Sequence, residues 1–168
     1  MMKKFIKIMS RMVIENIDFN KLSKDDLESL LIISITTPGD PLASFKLDGV
    51  PVLHLQLDDL KEKDNLEQVI SFYLARMGRR PVFFGWEIAE RIVSFVLKFK
   101  DKSIILIHCD AGISRSAAVA KALSLWYHKD GSRFDNLYLP NPMIFKIMNQ
   151  TIERMDKNEE SKHWNFLF

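Results

Sequence analysis

Residues 104–116 read Ile104-Ile105-Leu106-Ile107-His108-Cys109-Asp110-Ala111-Gly112-Ile113-Ser114-Arg115-Ser116. The first four are apolar and mostly β-branched, a run too short for a helix; it predicts a central strand buried on both faces. From Ser116 to His128 the chain is alanine-rich and apolar, the composition of a helix pressed against a sheet. Between the two lies a tight loop at the carboxyl end of a strand, where parallel α/β sheets bind their ligands. Successive N–H groups in such a turn face inward as an anion nest, and the helix N-terminus adds its positive end. Gly112 permits the sharp turn and a close approach of backbone to ligand. Arg115 adds a planar fork of donors matched to phosphate oxygens. The loop suits a tetrahedral dianion.

The pattern repeats outward from this segment. Residues 4–10 predict an edge strand broken by lysine. Ser23 is placed to cap a short helix, with Asp25 and Asp26 in its first turn and Leu27, Leu30 and Leu31 on its apolar side. The run Leu31–Ile35 reads as a buried strand ended by Thr36-Thr37-Pro38-Gly39-Asp40-Pro41. Val50–Leu57 alternates and runs straight into Asp58-Asp59. A polar helix over 64–80 stops at Gly78-Arg79-Arg80-Pro81, and a longer one spans Gly85 to Lys100. Pro140-Asn141-Pro142 opens a last helix with Ile144, Ile147, Met148 and Ile152 on one side. The tail, 157–168, is charged and then aromatic and carries no assignment. Strands alternating with helices predict an α/β fold. The expected architecture is a single compact domain over 1–168, with a mostly parallel sheet of four to five strands flanked by helices. The phosphate loop lies between a central strand and a helix.

Composition narrows the function. With 168 residues and 47% hydrophobic content the chain can bury a core. Lys plus Arg number 24 against 22 Asp plus Glu, a net +2, too even for a nucleic-acid or membrane-surface protein. One cysteine excludes an internal disulfide framework, and four histidines leave little for structural zinc. No apolar run approaches the roughly 20 residues needed to span a bilayer. The start, MMKKFIKIMSRM, lacks a small-residue cleavage site and does not read as a signal peptide. A cytoplasmic protein, with a monomer favoured and neither metal nor cofactor, is the expectation.

Cys109 stands first in the loop, where the field that attracts phosphate also acts on sulfur. Thiols at helix N-termini beside cations fall from about 8.5 to roughly 3.5–7.5 in pKa, which makes the thiolate available at neutral pH. Such a thiolate can attack phosphorus and form a phosphocysteine. Arg115 and the amides of Asp110, Ala111, Gly112, Ile113 and Ser114 would hold the equatorial oxygens. Ser116 can donate to the sulfur as it departs, and His108 can orient the loop. A structural cysteine is the ordinary fate of a lone Cys, but it would have to coincide with Gly112, Arg115 and a strand-to-helix turn. A cation at a helix N-terminus also opposes the helix dipole unless an anion is bound.

His108-Cys109-x5-Arg115-Ser116 resembles the signature of the cysteine-dependent protein tyrosine phosphatase superfamily. Gly112-x-Ser114-Arg115-Ser116 looks like its dual-specificity branch. The match is specific over 108–120, and order and spacing extend a weaker likeness over about 31–155. The resemblance implies a metal-free, two-step phosphatase of phosphotyrosine, and often of phosphoserine or phosphothreonine, acting on a phosphoprotein. It also implies an aspartic acid on an upstream loop that protonates the leaving oxygen and later activates water. Asp59 fits that place, with Asp58 second and Asp64 third; Asp64 also reads as a helix cap. Fifty residues separate Asp59 from Cys109, more than in compact relatives, as expected if 61–83 is an inserted helix and loop. Asn141 resembles a family residue that braces the phosphate loop.

Other readings stay open at this level. RNA 5′ ends and phosphoinositides can be handled by the same loop chemistry, although Asp110 and Ile113 stand where polyphosphorylated headgroups favour lysines. A sulfurtransferase fits the Cys109-to-Arg115 spacing poorly. A non-catalytic phosphate-binding relative differs only in lacking turnover. His54 reads as a satisfied strand histidine and His128 as a charge at a helix C-terminus. Arg76, Arg79 and Arg80 read as a solvated helix end, or as a guide for an acidic substrate. Trp86 and Trp126 read as core or rim.

Overall fold

The computed structural model describes residues 4–164 except 46, 62 and 63, with side chains described to 157. Four strands form one sheet: β1 (Phe5–Ser10), β2 (Leu30–Thr36), β3 (Val52–Gln56) and β4 (Ile104–Cys109), in the order β1-β4-β2-β3. All three pairings are parallel. Parallel strands place every carboxyl end along one edge of the sheet. The register sets Ser10 beside Cys109, Ser34 beside His108 and Thr36 beside Gln56. The ends of β1, β2, β3 and β4 thus converge on the turn that follows Cys109.

β2 is buried along its whole length, and β4 from Ile105 onward, as continuous Ile/Leu runs require of strands covered on both faces. One core lies between the sheet and the helices α4 (Trp86–Lys98), α5 (Arg115–His128) and α7 (Pro142–Trp164). Ala117, Ala118, Ala120 and Ala122 are fully buried; their small side chains bring α5 close to the strands. A smaller core of Ile14, Phe19, Leu30, Ile32 and Leu106 fills the other face.

Several elements depart from expectation. Ser23 does cap a helix, α2 (Lys24–Glu28), by accepting from Asp26 N–H at 3.1 Å. Leu30, expected on that helix, instead begins β2, because burial in the sheet outweighs one more helical turn, and Leu31 lies in the strand that the run Leu31–Ile35 predicted. Two short helices were not expected: α1 (Arg11–Glu15), whose cap Ser10 accepts from Val13 N–H at 3.3 Å, and α6 (Arg133–Leu137). The helix expected over 64–80 is α3 (Leu66–Met77), closed by Gly78 in the left-handed conformation. α7 runs on to Trp164, into the segment left unassigned; residues 165–168 lie outside the described residues. No helix among the described residues is long and apolar enough to cross a membrane.

Candidate active site

The turn after β4 is shaped by main-chain bonds on its outer side. Asp110 O accepts from Arg11 N–H at 3.2 Å, Ile113 O from Leu139 N–H at 3.2 Å and Ser114 O from Asn141 N–H at 3.2 Å. In a trans peptide the carbonyl and the following N–H point opposite ways. Drawing those three carbonyls outward therefore turns the amides of Ala111, Ser114 and Arg115 inward. Ser114 is the N-cap of α5 but makes no side-chain cap bond. The amides of the first turn, orphaned in any helix, stay available to an anion.

Cys109 lies at the floor of this cradle, 2% exposed. Its Sγ accepts from Gly112 N–H at 3.3 Å and lies 3.1 Å from Ser116 Oγ. Gly112 has φ +72°, and a Cβ there would come within 2.7 Å of the backbone of Met9 and Ser10. Glycine is needed for conformation and for space together.

Arg115 is buried at the start of α5. Its Nη1 donates to Leu57 O at 2.7 Å and its Nη2 to Asp110 Oδ2 at 2.6 Å. Thr37 Oγ1 donates to the same Asp110 oxygen at 2.7 Å. Burial alone would raise the Asp110 carboxyl, but the bonds from Thr37 and Arg115 outweigh it and hold the carboxyl below its ordinary range. Arg115 Nε is buried with no partner. A buried guanidinium donor left unmatched beside inward amides fits an oxyanion that would take it.

His108 is fully buried, with Nε2 2.8 Å from Ser34 Oγ on the neighbouring strand. Burial pulls its pKa down to about 4 against the opposing pull of Asp110 and Glu15. The ring is neutral at physiological pH and ties β4 to β2 below the loop.

The two aspartates after β3 have separated. Asp58 is buried and accepts both terminal nitrogens of Arg79, each at 2.8 Å, with Val82 N–H also at 2.8 Å. Its burial would raise the carboxyl; the bonds from Arg79 and Val82 prevail and hold it below the usual carboxylate range. Asp59 is exposed, and its Oδ1 accepts from Ser114 Oγ at 2.9 Å and from Asn141 Nδ2 at 2.7 Å. Asp59, not Asp58, thus reaches the loop. Asp64 turns away and accepts from Lys61 N–H at 2.8 Å, while Asn65 caps α3.

The sequence matches no family model and no curated protein. Solved structures do match its shape. The human tyrosine phosphatase-like serine/threonine/tyrosine-interacting protein superposes with a TM-score of 0.51 at 16% identity, covering 92% of each chain. The structure of PTPMT1 also gives 0.51, at 15% identity, covering 94% of this chain and 95% of that one. The chain has the dual-specificity phosphatase fold.

On that fold Asn141 has a wider part than the sequence indicated. Its Oδ1 accepts from Met143 and Ile144 N–H at 3.0 and 3.2 Å, capping α7, while Nδ2 also reaches Leu60 O at 2.8 Å. One buried residue thus joins α7 and the aspartate loop through its side chain, and the signature loop through its own N–H on Ser114 O. Sequence reasoning missed Thr37 and Leu57, which contribute a hydroxyl and a carbonyl at strand ends and carry no motif. It also read Arg79 as part of a solvated helix end or a guide for an acidic substrate, whereas Arg79 is the partner of Asp58. His54 is not satisfied: its Nδ1 is buried without a partner, and the ring stacks on Phe45 at 5.9 Å. His128, at the end of α5, pairs with Lys4 O at 2.7 Å. Trp126 joins the core, and Trp86 stays on the rim.

Proposed function

We propose that the chain is a cysteine-dependent phosphomonoesterase that hydrolyses phosphotyrosine, and phosphoserine or phosphothreonine, in phosphoproteins. One observation carries this reading. Cys109 Sγ sits under inward amides with hydrogen-bond partners of its own, and a carboxylate stands over the same loop. In the first step the thiolate attacks phosphorus, the bond from phosphorus to the substrate oxygen breaks, and Asp59 gives that oxygen its proton. Arg115 and the loop amides hold the three equatorial oxygens as charge redistributes. In the second step Asp59, now a carboxylate, takes a proton from water as water attacks the phosphocysteine. The sulfur–phosphorus bond breaks, and the Ser116 hydroxyl donates to the departing sulfur.

The loop contains no lysine, and it places the Asp110 carboxylate beside Arg115. That charge pattern supports a singly phosphorylated substrate over a polyphosphorylated headgroup. Aryl phosphate hydrolysis in the presence of EDTA is the test. Turnover should survive chelation, be blocked by vanadate and vanish in Cys109→Ser. Vanadate binding without turnover would overturn the proposal and leave a non-catalytic phosphate-binding protein.

A further inference from the structure

Asp58 and Asp59 are adjacent in sequence and opposite in surroundings. Asp58 is 3% exposed, with Arg79 Nη2 on Oδ1 and both Arg79 Nη1 and Val82 N–H on Oδ2, each at 2.8 Å. Its own N–H donates to Val82 O at 2.9 Å. Residues 58 and 82 are therefore buckled together at the base of the excursion 59–81, which contains α3. Packing of α3 adds little to that hold, because the helix has no fully buried residue, and the buried side chains of the excursion, Leu60 and Pro81, lie at its two ends. Arg79 is itself oriented by the Tyr73 ring, 5.2 Å below the guanidinium, and by a bond from Nη1 to Arg80 O at 3.1 Å.

The backbone between the buckle and Asp59 is a single residue step. Fixing Asp58 fixes where the Asp59 carboxyl begins; Ser114 and Asn141 fix where it ends, by two bonds on Oδ1. A bidentate guanidinium–carboxylate pair sets position and orientation together, as a lysine cannot. We propose that Arg79 is a positioning residue for proton transfer, which through Asp58 holds Asp59 over the phosphate cradle. This rests on Asp59 being the general acid. Arg79 touches neither substrate nor sulfur; its effect belongs to the step in which the leaving oxygen is protonated.

The test compares phenyl phosphate, a poor leaving group, with 4-nitrophenyl phosphate, a good one, on the full chain. Asp59→Ala should lower kcat for phenyl phosphate by about a hundredfold or more, and far less for the nitrophenyl ester. Arg79→Ala should show the same selectivity at smaller size, roughly tenfold against less than about twofold, with vanadate inhibition unchanged. Arg79→Lys should fall between, keeping charge but losing the fork. In the Asp59→Ala background, Arg79→Ala should cost nothing more, since the two act through one step. Equal loss on both esters, weaker vanadate inhibition, or an additive loss in the double variant would overturn the role of Arg79. If Arg79→Ala does not fold, Arg79→Lys decides alone, a selective loss supporting the proposal and an unselective one ending it. An unselective Asp59→Ala removes the acid assignment and the proposal with it. A selective Asp59→Ala beside an unselective Arg79→Ala removes the proposal alone.

Discussion

At Gly112 a single methyl group would strike the backbone of β1. Its φ of +72° disfavours any L side chain, and the added Cβ would meet Met9 and Ser10 backbone at 2.7 Å. Gly112→Ala should therefore destabilise the fold by more than about 1 kcal/mol, through backbone strain before any packing loss. Urea unfolding measures that cost, and vanadate titration should show the cradle opened as well. His108 offers a second test at this scale. Its folded pKa is about 4 against an ordinary 6.5, so between those values the unfolded chain takes up a proton that the folded chain refuses. Stability present above pH 6.5 is lost as the pH falls toward 4, by about 3 kcal/mol from this group alone. His108→Gln can keep a bond to Ser34 without titrating, and should flatten that part of the pH–stability curve relative to the parent chain.

Among elements, α7 and the aspartate loop share one side chain. Asn141→Ala removes the cap on Met143 and Ile144 N–H together with both bonds from Nδ2. It should cost about 1–2 kcal/mol in stability and slow substrates with poor leaving groups. Asn141→Asp keeps the cap but sets a buried carboxylate against Asp59 and Leu60 O with no donor between them. It should therefore cost at least as much stability as Asn141→Ala, and turnover of phenyl phosphate should fall in both, as calorimetry and kinetics would show. The strands and long helices were legible because β2 and β4 each open with four consecutive Leu or Ile residues and α4 keeps Ile88, Ile92 and Phe95 at helical spacing. α1 and α6 were not, because five residues show no period; α2, equally short, was found by its Ser23 cap, whereas Ser10, the cap of α1, is also the last residue of a strand. The cradle was legible for a different reason: its chemistry is contiguous in the chain. The choice between Asp58 and Asp59 could not be made locally. It is made by Arg79, 21 positions from Asp58, and by Ser114 and Asn141, 55 and 82 positions from Asp59.

For the whole molecule, the cradle draws on the ends of all four strands, so an anion bound there ties the sheet edge together. Vanadate should raise the melting temperature, by the equivalent of about 2.7 kcal/mol at a hundred times its Kd. Arg115→Ala should abolish that rise, since it removes the guanidinium that spans Leu57 O and Asp110. Scanning fluorimetry with and without vanadate checks both.

The wall that Gly112 leans on is made of main-chain atoms, Met9 C and O and Ser10 N, so the identity of the residue at position 9 hardly matters to the loop. Its register does. A scan of point substitutions along β1 would leave this dependence nearly invisible, whereas inserting or deleting one residue before Arg11 would slide the wall past the loop. Length, rather than spelling, is what this edge of the protein has to conserve.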